Sequence, residues 1–392
     1  MKRIHVILAN VLAVIAIGTG IYFLHDTTPP CLPEPLRYST VKGFPERVNL
    51  LQDIREAQRL LEGKQAGFRF FWVKTKKGFT GKGKKKRPRF VMVRHLDFNV
   101  LLAVQRDGGP IEFVSIKKDG TTESDFEIEA ERLNGLNTPY VVSLPPGYRM
   151  LALRRVARIG KEYKEVVYTP YTSSIDTPAL RCEGLKYLRD NIAAARKDLA
   201  SRMVISLAFG GQVADLVPEK VALSLSLIEH IDPDRLKKEQ IERLAGEVLV
   251  IAAANKENAY RYAVSSGAGA RGLFQFTRDP YRSIVRLYPR AELISDFVVG
   301  TDDHLNAAKA ALLLFDSDLA TAVAKMGRKY AKQLQGNNGA LSEYLASAYN
   351  WGSGRTVKAR QRFGNQWKDH IPNETKDYLR KLAGVEKIFG LR

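Results

Sequence analysis

The stretch PEKVALSLSLIEHIDP, residues 218–233, decides how this chain is read. Pro218 and Glu219 open it, an apolar run fills it, and Asp232-Pro233 closes it, the pattern of a helix with a proline-marked stop. Ala222 and Leu225 precede Glu229 by seven and four residues, which puts the Glu229 carboxyl on the apolar stripe of that helix. Apolar surroundings disfavour a carboxylate and raise its pKa. A general acid working near neutral pH needs that property, which makes Glu229 one candidate for that role. A helix-end glutamate satisfied by a neighbouring residue would read the same way locally.

Two further stretches downstream have a composition unlike that of generic core. SSGAGARGLFQF, residues 265–276, carries three glycines that let backbone approach a ligand closely, followed by Gln275, which can both donate and accept. AYNWGSGR, residues 348–355, sets Tyr349, Asn350 and Trp351 before a glycine-rich helix end. Aromatic rings with an amide suit stacking on sugar faces and bonding to hydroxyls and acetamides. Taken singly, the first is a glycine-rich turn and the second a glycine C-cap.

As an ordered set, these stretches resemble the lytic transglycosylase family with the goose-type lysozyme-like catalytic domain. That family shows an apolar helix ending in a catalytic glutamate, then Gly-Ala-x-Gly-Leu-x-Gln, then Ala-Tyr-Asn-x-Gly-x-Gly. Residues 269–275 and 348–354 match the last two, and Glu374-Thr375-Lys376-Asp377-Tyr378 resembles the family's closing Glu-Thr-x-x-Tyr. The resemblance covers about residues 200–392. It implies an all-α catalytic domain that cleaves the β-1,4 bond between N-acetylmuramic acid and N-acetylglucosamine in peptidoglycan, forming a 1,6-anhydro ring without water. It implies one glutamate, Glu229, used first as acid and then as base. Tyr349 would hold the carboxyl or the substrate acetamide, Gln275 and Asn350 would bind sugar, and Gly272 and Leu273 would shape the cleft. A hydrolytic muramidase on the same scaffold and a non-catalytic peptidoglycan-binding protein are the alternatives.

The spacing departs from the family at one point. Glu229 lies 40 residues before Gly269, which makes 234–262 an inserted helix, whereas Glu257 lies only 12 residues before it. Glu257 has polar flanks in Lys256 and Asn258, the setting of an ordinary surface carboxylate. Glu229 is therefore preferred over Glu257. Asp232 is the nearest second carboxylate, but its place beside Pro233 reads as a helix cap.

The expected architecture is α+β and multidomain: a membrane anchor over 1–30, a β-rich mixed domain over 33–182 and an all-α domain over 183–392. Period-two segments predict strands over 68–74, 89–95, 100–106, 111–117, 126–130, 148–156 and 165–169, after one amphipathic helix over 47–62. Helices are predicted over 185–209, 218–231, 235–259, 280–287, 301–315, 319–335, 341–350 and 374–385. There is no phosphate loop, no HExxH and no nucleophile elbow, and the six histidines are scattered, so neither cofactor nor metal is expected.

Residues 4–24 contain no Asp, Glu, Lys or Arg and are long enough to span a bilayer, while Lys2 and Arg3 keep the N-terminus cytoplasmic. A single-pass inner-membrane protein with a periplasmic body is the expectation, in which Cys31 and Cys182 are free to pair. The chain carries a net charge of +20, with 34 basic against 21 acidic residues before position 201 and 28 against 21 after it. Nine basic residues crowd into KTKKGFTGKGKKKRPR, residues 74–89. That segment reads either as a solvated hairpin tip or as a contact for an anionic envelope surface. Export makes nucleic acid an unexpected partner, and peptidoglycan strands the expected one.

Overall fold

A computed structural model describes residue 31 and residues 49–80, 87–106, 108–117, 122, 129–130, 142–159, 162–216, 218–261 and 269–390. The expected anchor over 4–24, most of the expected strand over 126–130, and the middle of the basic segment, residues 81–86, lie outside the described residues. Among the described residues, no helix is long and apolar enough to cross a membrane.

The architecture is mixed α+β, a sheet region followed by helices. Helix α1 (Leu50–Glu62) precedes strands β1 (Phe68–Thr80), β2 (Arg87–Arg106), β3 (Ile111–Lys117), β4 (Glu129–Ala130), β5 (Val142–Ser143), β6 (Tyr148–Ile159) and β7 (Glu162–Tyr168). All pairings are antiparallel; β1, β2, β6 and β7 lie in that order, β3 also pairs with β2, and β4 with β5 forms a separate ladder. Leu50, Ile54, Ala57 and Leu61 recur at helical spacing and are buried, closing α1 over the sheet whose inward residues include Leu102, Val104, Leu151 and Leu153. The expected strands over 89–95 and 100–106 are one strand, because Asp97 at the expected break is held by Arg69 across the ladder at 3.0 Å.

The helices are α2 (Pro178–Ser201), α3 (Val213–Leu216), α4 (Glu219–Ile228), α5 (Pro233–Leu236), α6 (Ile241–Asn255), α7 (Arg278–Leu287), α8 (Phe297–Asp302), α9 (His304–Met326), α10 (Arg328–Gln335), α11 (Asn338–Trp351), α12 (Ser353–Phe363) and α13 (Asn373–Phe389). Helix α2 begins seven residues before the expected start at 185 and crosses the expected domain boundary at 182/183. Thr177 caps it by accepting from the Leu180 amide, with Pro178 at the first helical position. It ends at Ser201, not 209. The expected helix over 235–259 is two, α5 and α6, and α6 is buried over most of its length. Gly184 lets α2 cross it closely, since a Cβ there would lie 1.9 Å from the Leu249 carbonyl oxygen.

Polar contacts join the sheet region to the helices. The Asn255 side chain accepts from the Thr169 amide at 2.8 Å and donates to the Thr169 carbonyl at 2.8 Å. The Gln58 amide donates to the Ala254 carbonyl at 3.1 Å. A disulfide links Cys31 to Cys182 on α2.

Candidate functional site

Glu229 is the residue that follows α4, its amide donating to the Leu225 carbonyl at 3.1 Å. The apolar run Val221–Ile228 is buried, which fixes the helix and presents Glu229 at its C-terminal end. Glu229 itself is half-buried. Burial raises its pKa to about 7, while the hydrogen bond from Tyr378 and the ammonium of Lys381 pull in the opposite direction. The negative end of the helix dipole also disfavours a carboxylate here.

The last helix roofs this point. Thr375, Tyr378 and Lys381 recur every three residues on α13 and are buried. The Tyr378 hydroxyl donates to Oε1 of Glu229. Lys381 donates to the carbonyls of Ile228 at 2.8 Å and Ile231 at 3.0 Å, satisfying acceptors that the end of α4 leaves open. Burial pulls the Lys381 pKa down, with Glu229 the first of four carboxylates opposing. Burial and the Glu229 charge together hold both the Tyr378 and the Tyr349 phenols well above their usual range.

Residues 271–276 form a tight turn around a four-residue loop. Arg271 and Phe276 close it by mutual backbone bonds of 3.0 and 2.9 Å. Gly272 has φ +74°, and a Cβ there would lie 2.1 Å from the Thr301 carbonyl oxygen, so only glycine fits. Gln275 has φ +47°, a strained value for a residue with a side chain, and its amide donates to the Gly272 carbonyl at 2.8 Å. Leu273 and Phe274 are buried beneath the loop.

Two side chains fasten this loop to the elements around it. The loop carbonyls of Leu273 and Phe274 meet His230 Nε2 at 2.9 Å and the Tyr349 hydroxyl at 2.5 Å. A carbonyl only accepts, so His230 carries its proton on Nε2. Burial pushes the His230 pKa down to about 3, leaving the ring neutral, and it stacks on Tyr260 with centroids 3.6 Å apart. Asn350 accepts from the Thr375 hydroxyl at 2.8 Å, which ties α11 to α13.

The structure therefore brings Glu229, the Gly272–Gln275 loop, Tyr349 and Asn350 into one connected cluster. It does not bring Glu257 there: that residue is exposed on the short turn after α6. Of the two roles expected for Tyr349, holding the carboxyl falls to another phenol in this structure. The hydroxyl bonded to the Glu229 carboxyl belongs to Tyr378, because Tyr349 spends its own on Phe274. Gln275 likewise uses its amide to lock the loop. Asp232 caps α5, accepting from the amides of Asp234 and Arg235.

Sequence reasoning missed Lys381 and His230 altogether, and left Tyr378 without a role. The available signal was a lysine in register with Thr375 and Tyr378 on an otherwise apolar helix face. Asp318 on α9 is a second carboxyl with a pKa raised to about 7 by burial, which the Ser353 hydroxyl partly offsets. Asp318 is buried, whereas Glu229 is half-buried. Among the described residues, no group of His, Cys, Asp or Glu is placed to hold a metal ion.

A comparison of the chain with protein-family models, with curated proteins and with solved structures finds no match.

Proposed function

We propose that the helical region is a lysozyme-like lytic transglycosylase domain acting on peptidoglycan, with Glu229 as its one catalytic carboxyl. The observation that carries this reading is a half-buried glutamate with a pKa of about 7, fastened by a tyrosine and surrounded by the three other stretches of the family resemblance. A pKa at that level leaves the group able to give a proton and to take one back near neutral pH.

The Tyr378 hydroxyl occupies Oε1, so the acidic proton rides on Oε2. In the first step that proton passes to the glycosidic oxygen as its bond to C1 of N-acetylmuramic acid breaks. The substrate acetamide stabilises the cationic centre. In the second step the Glu229 carboxylate takes the proton from the C6 hydroxyl as O6 bonds to C1. The carboxyl ends protonated, no water is consumed, and the products are a free N-acetylglucosamine hydroxyl and a 1,6-anhydro ring. Lys381 and Tyr378 stabilise the carboxylate between the steps. Asn350 and Tyr349 are assigned to the sugar, with the Gly272–Gln275 loop shaping the cleft beside them.

A hydrolase of the usual kind requires a second carboxylate as nucleophile or base. The Lys381 ammonium is the charge that lowers the Glu229 pKa. The proposed setting is the periplasmic side of an inner membrane, with 4–24 as a single-pass anchor. The Cys31–Cys182 disulfide supports an oxidising compartment. Mass analysis of purified peptidoglycan digested by the full-length chain tests the reading. Anhydro-muramyl ends are expected; reducing muramyl ends would assign the hydrolytic muramidase instead, and binding without release would remove the enzyme reading.

A further inference from the structure

Strands β1 and β2 leave the sheet together. Residues 101–105 of β2 are flanked by β3 and β6, whereas among the described strands residues 87–98 pair with β1. The register sorts this two-stranded ribbon into two faces. One presents Phe68, Phe70 and Trp72, with Met92 and Phe90 across the ladder; the other presents Phe71 and Val73, with Val93 and Val91. Trp72, Phe79 and Met92 are 62%, 58% and 56% exposed. A two-stranded ribbon is marginal in water, and apolar groups clustered in the open mark a contact surface.

Charge narrows the partner. The ribbon strands, residues 68–80 and 87–98, carry seven Lys or Arg and a single acidic residue, Asp97, which Arg69 neutralises at 3.0 Å. Lys76 lies 4.3 Å from the Phe79 ring and Lys74 lies 5.1 Å from the Phe90 ring, so their stems run along apolar surface. A rigid partner with one surface would cover one face of the ribbon and leave the other wet. A headgroup layer surrounds what enters it and gives both faces apolar contact. A ribbon of two strands is not a closed barrel, which keeps it from deeper entry into hydrocarbon.

We propose that this ribbon docks on an anionic phospholipid bilayer, with its aromatic and aliphatic side chains at the headgroup boundary and its lysines and arginines on the phosphates. The proposal stands apart from the glycan-cleaving reading, because its test contains no peptidoglycan. The full-length chain is mixed with vesicles whose acyl chains carry bromine, and the emission lost in Trp72→Phe isolates Trp72 from Trp351 and Trp367. Quenching of Trp72 is expected on vesicles rich in phosphatidylglycerol. It should be several-fold weaker on pure phosphatidylcholine and in 1 M salt, where the screening length falls to about 3 Å. Lys74→Gln with Lys76→Gln should lower the docked-to-undocked ratio about 30-fold. The lipid and salt comparisons use the unaltered ribbon, so they decide even if that double variant folds poorly. Equal quenching on neutral and anionic vesicles overturns the proposal, as does no quenching on either. Shielding of Trp72 by nucleic acid in place of lipid also overturns it.

Discussion

Glu229 and Glu257 sit in comparable places and in opposite surroundings. Each lies just beyond the C-terminal end of a short, buried, apolar helix, α4 for the first and α6 for the second. What differs is the chain that arrives from far away. Tyr378, 149 residues on, donates to Glu229, and Lys381 closes the carbonyls on either side of it. Among the described residues nothing comparable closes over Glu257, and it stays exposed. The chemistry of a helix-end glutamate is thus set by its tertiary roof, and local composition alone does not reveal it.

The sharpest way to break this comparison is substitution at the two positions. Glu229→Gln keeps shape and removes the proton, and it should lower the rate of glycan release by about 10³-fold, within the range of general acid–base contributions. Next in size, Gly272→Ala should destabilise the fold by about 3 kcal/mol in denaturant unfolding, because its Cβ meets the Thr301 carbonyl and its φ is left-handed. An unfolding midpoint unchanged from wild type would mean that the loop is free to move away from α8.

Stability against pH sharpens the contrast. The folded chain holds the Glu229 proton more tightly than the unfolded chain does, since its pKa is raised from 4.5 to about 7. That contribution is whole below about pH 4.5 and is lost as pH rises through about 7. Glu229→Gln escapes the loss. Unfolding measured at pH 4 and pH 8 should show equal stability at the first and a gain of at most about 3 kcal/mol for the variant at the second. Tyr378→Phe removes one hydrogen bond to a charged group and should cost about 10-fold or more in rate. Tyr378 lowers the Glu229 pKa, so the alkaline limb of kcat/KM, centred near 7 in the wild type, should move to higher pH in this variant. A limb that stays in place would mean that the titrating acid is another group.

Much of the scaffold was legible because it follows local periodicity. The spacing of Leu50, Ile54, Ala57 and Leu61, and the alternation of Val114 and Ile116 along β3, announce their own burial. The stop at Asp232-Pro233 was legible for the same reason, and Asp232 does cap the helix that follows. Elements failed where a distant partner overrode the local signal, as when Arg69 carried β2 through Asp97. At the site, Glu229 was legible through its apolar stripe, and Gly272 through its glycine-rich context. The division of labour between Tyr349 and Tyr378 was not, since either phenol reaches the cluster and only packing decides which one meets the carboxyl.

In the proposed function one glutamate, Glu229, carries the chemistry while its counterpart Glu257 does not. The direct measurement is the rate of anhydro-muramyl product formation from purified peptidoglycan by wild type, Glu229→Gln and Glu257→Gln, side by side. Product loss of about 10³-fold is expected for Glu229→Gln and a change within about 2-fold for Glu257→Gln. Loss of product in Glu257→Gln with Glu229→Gln still active would contradict it.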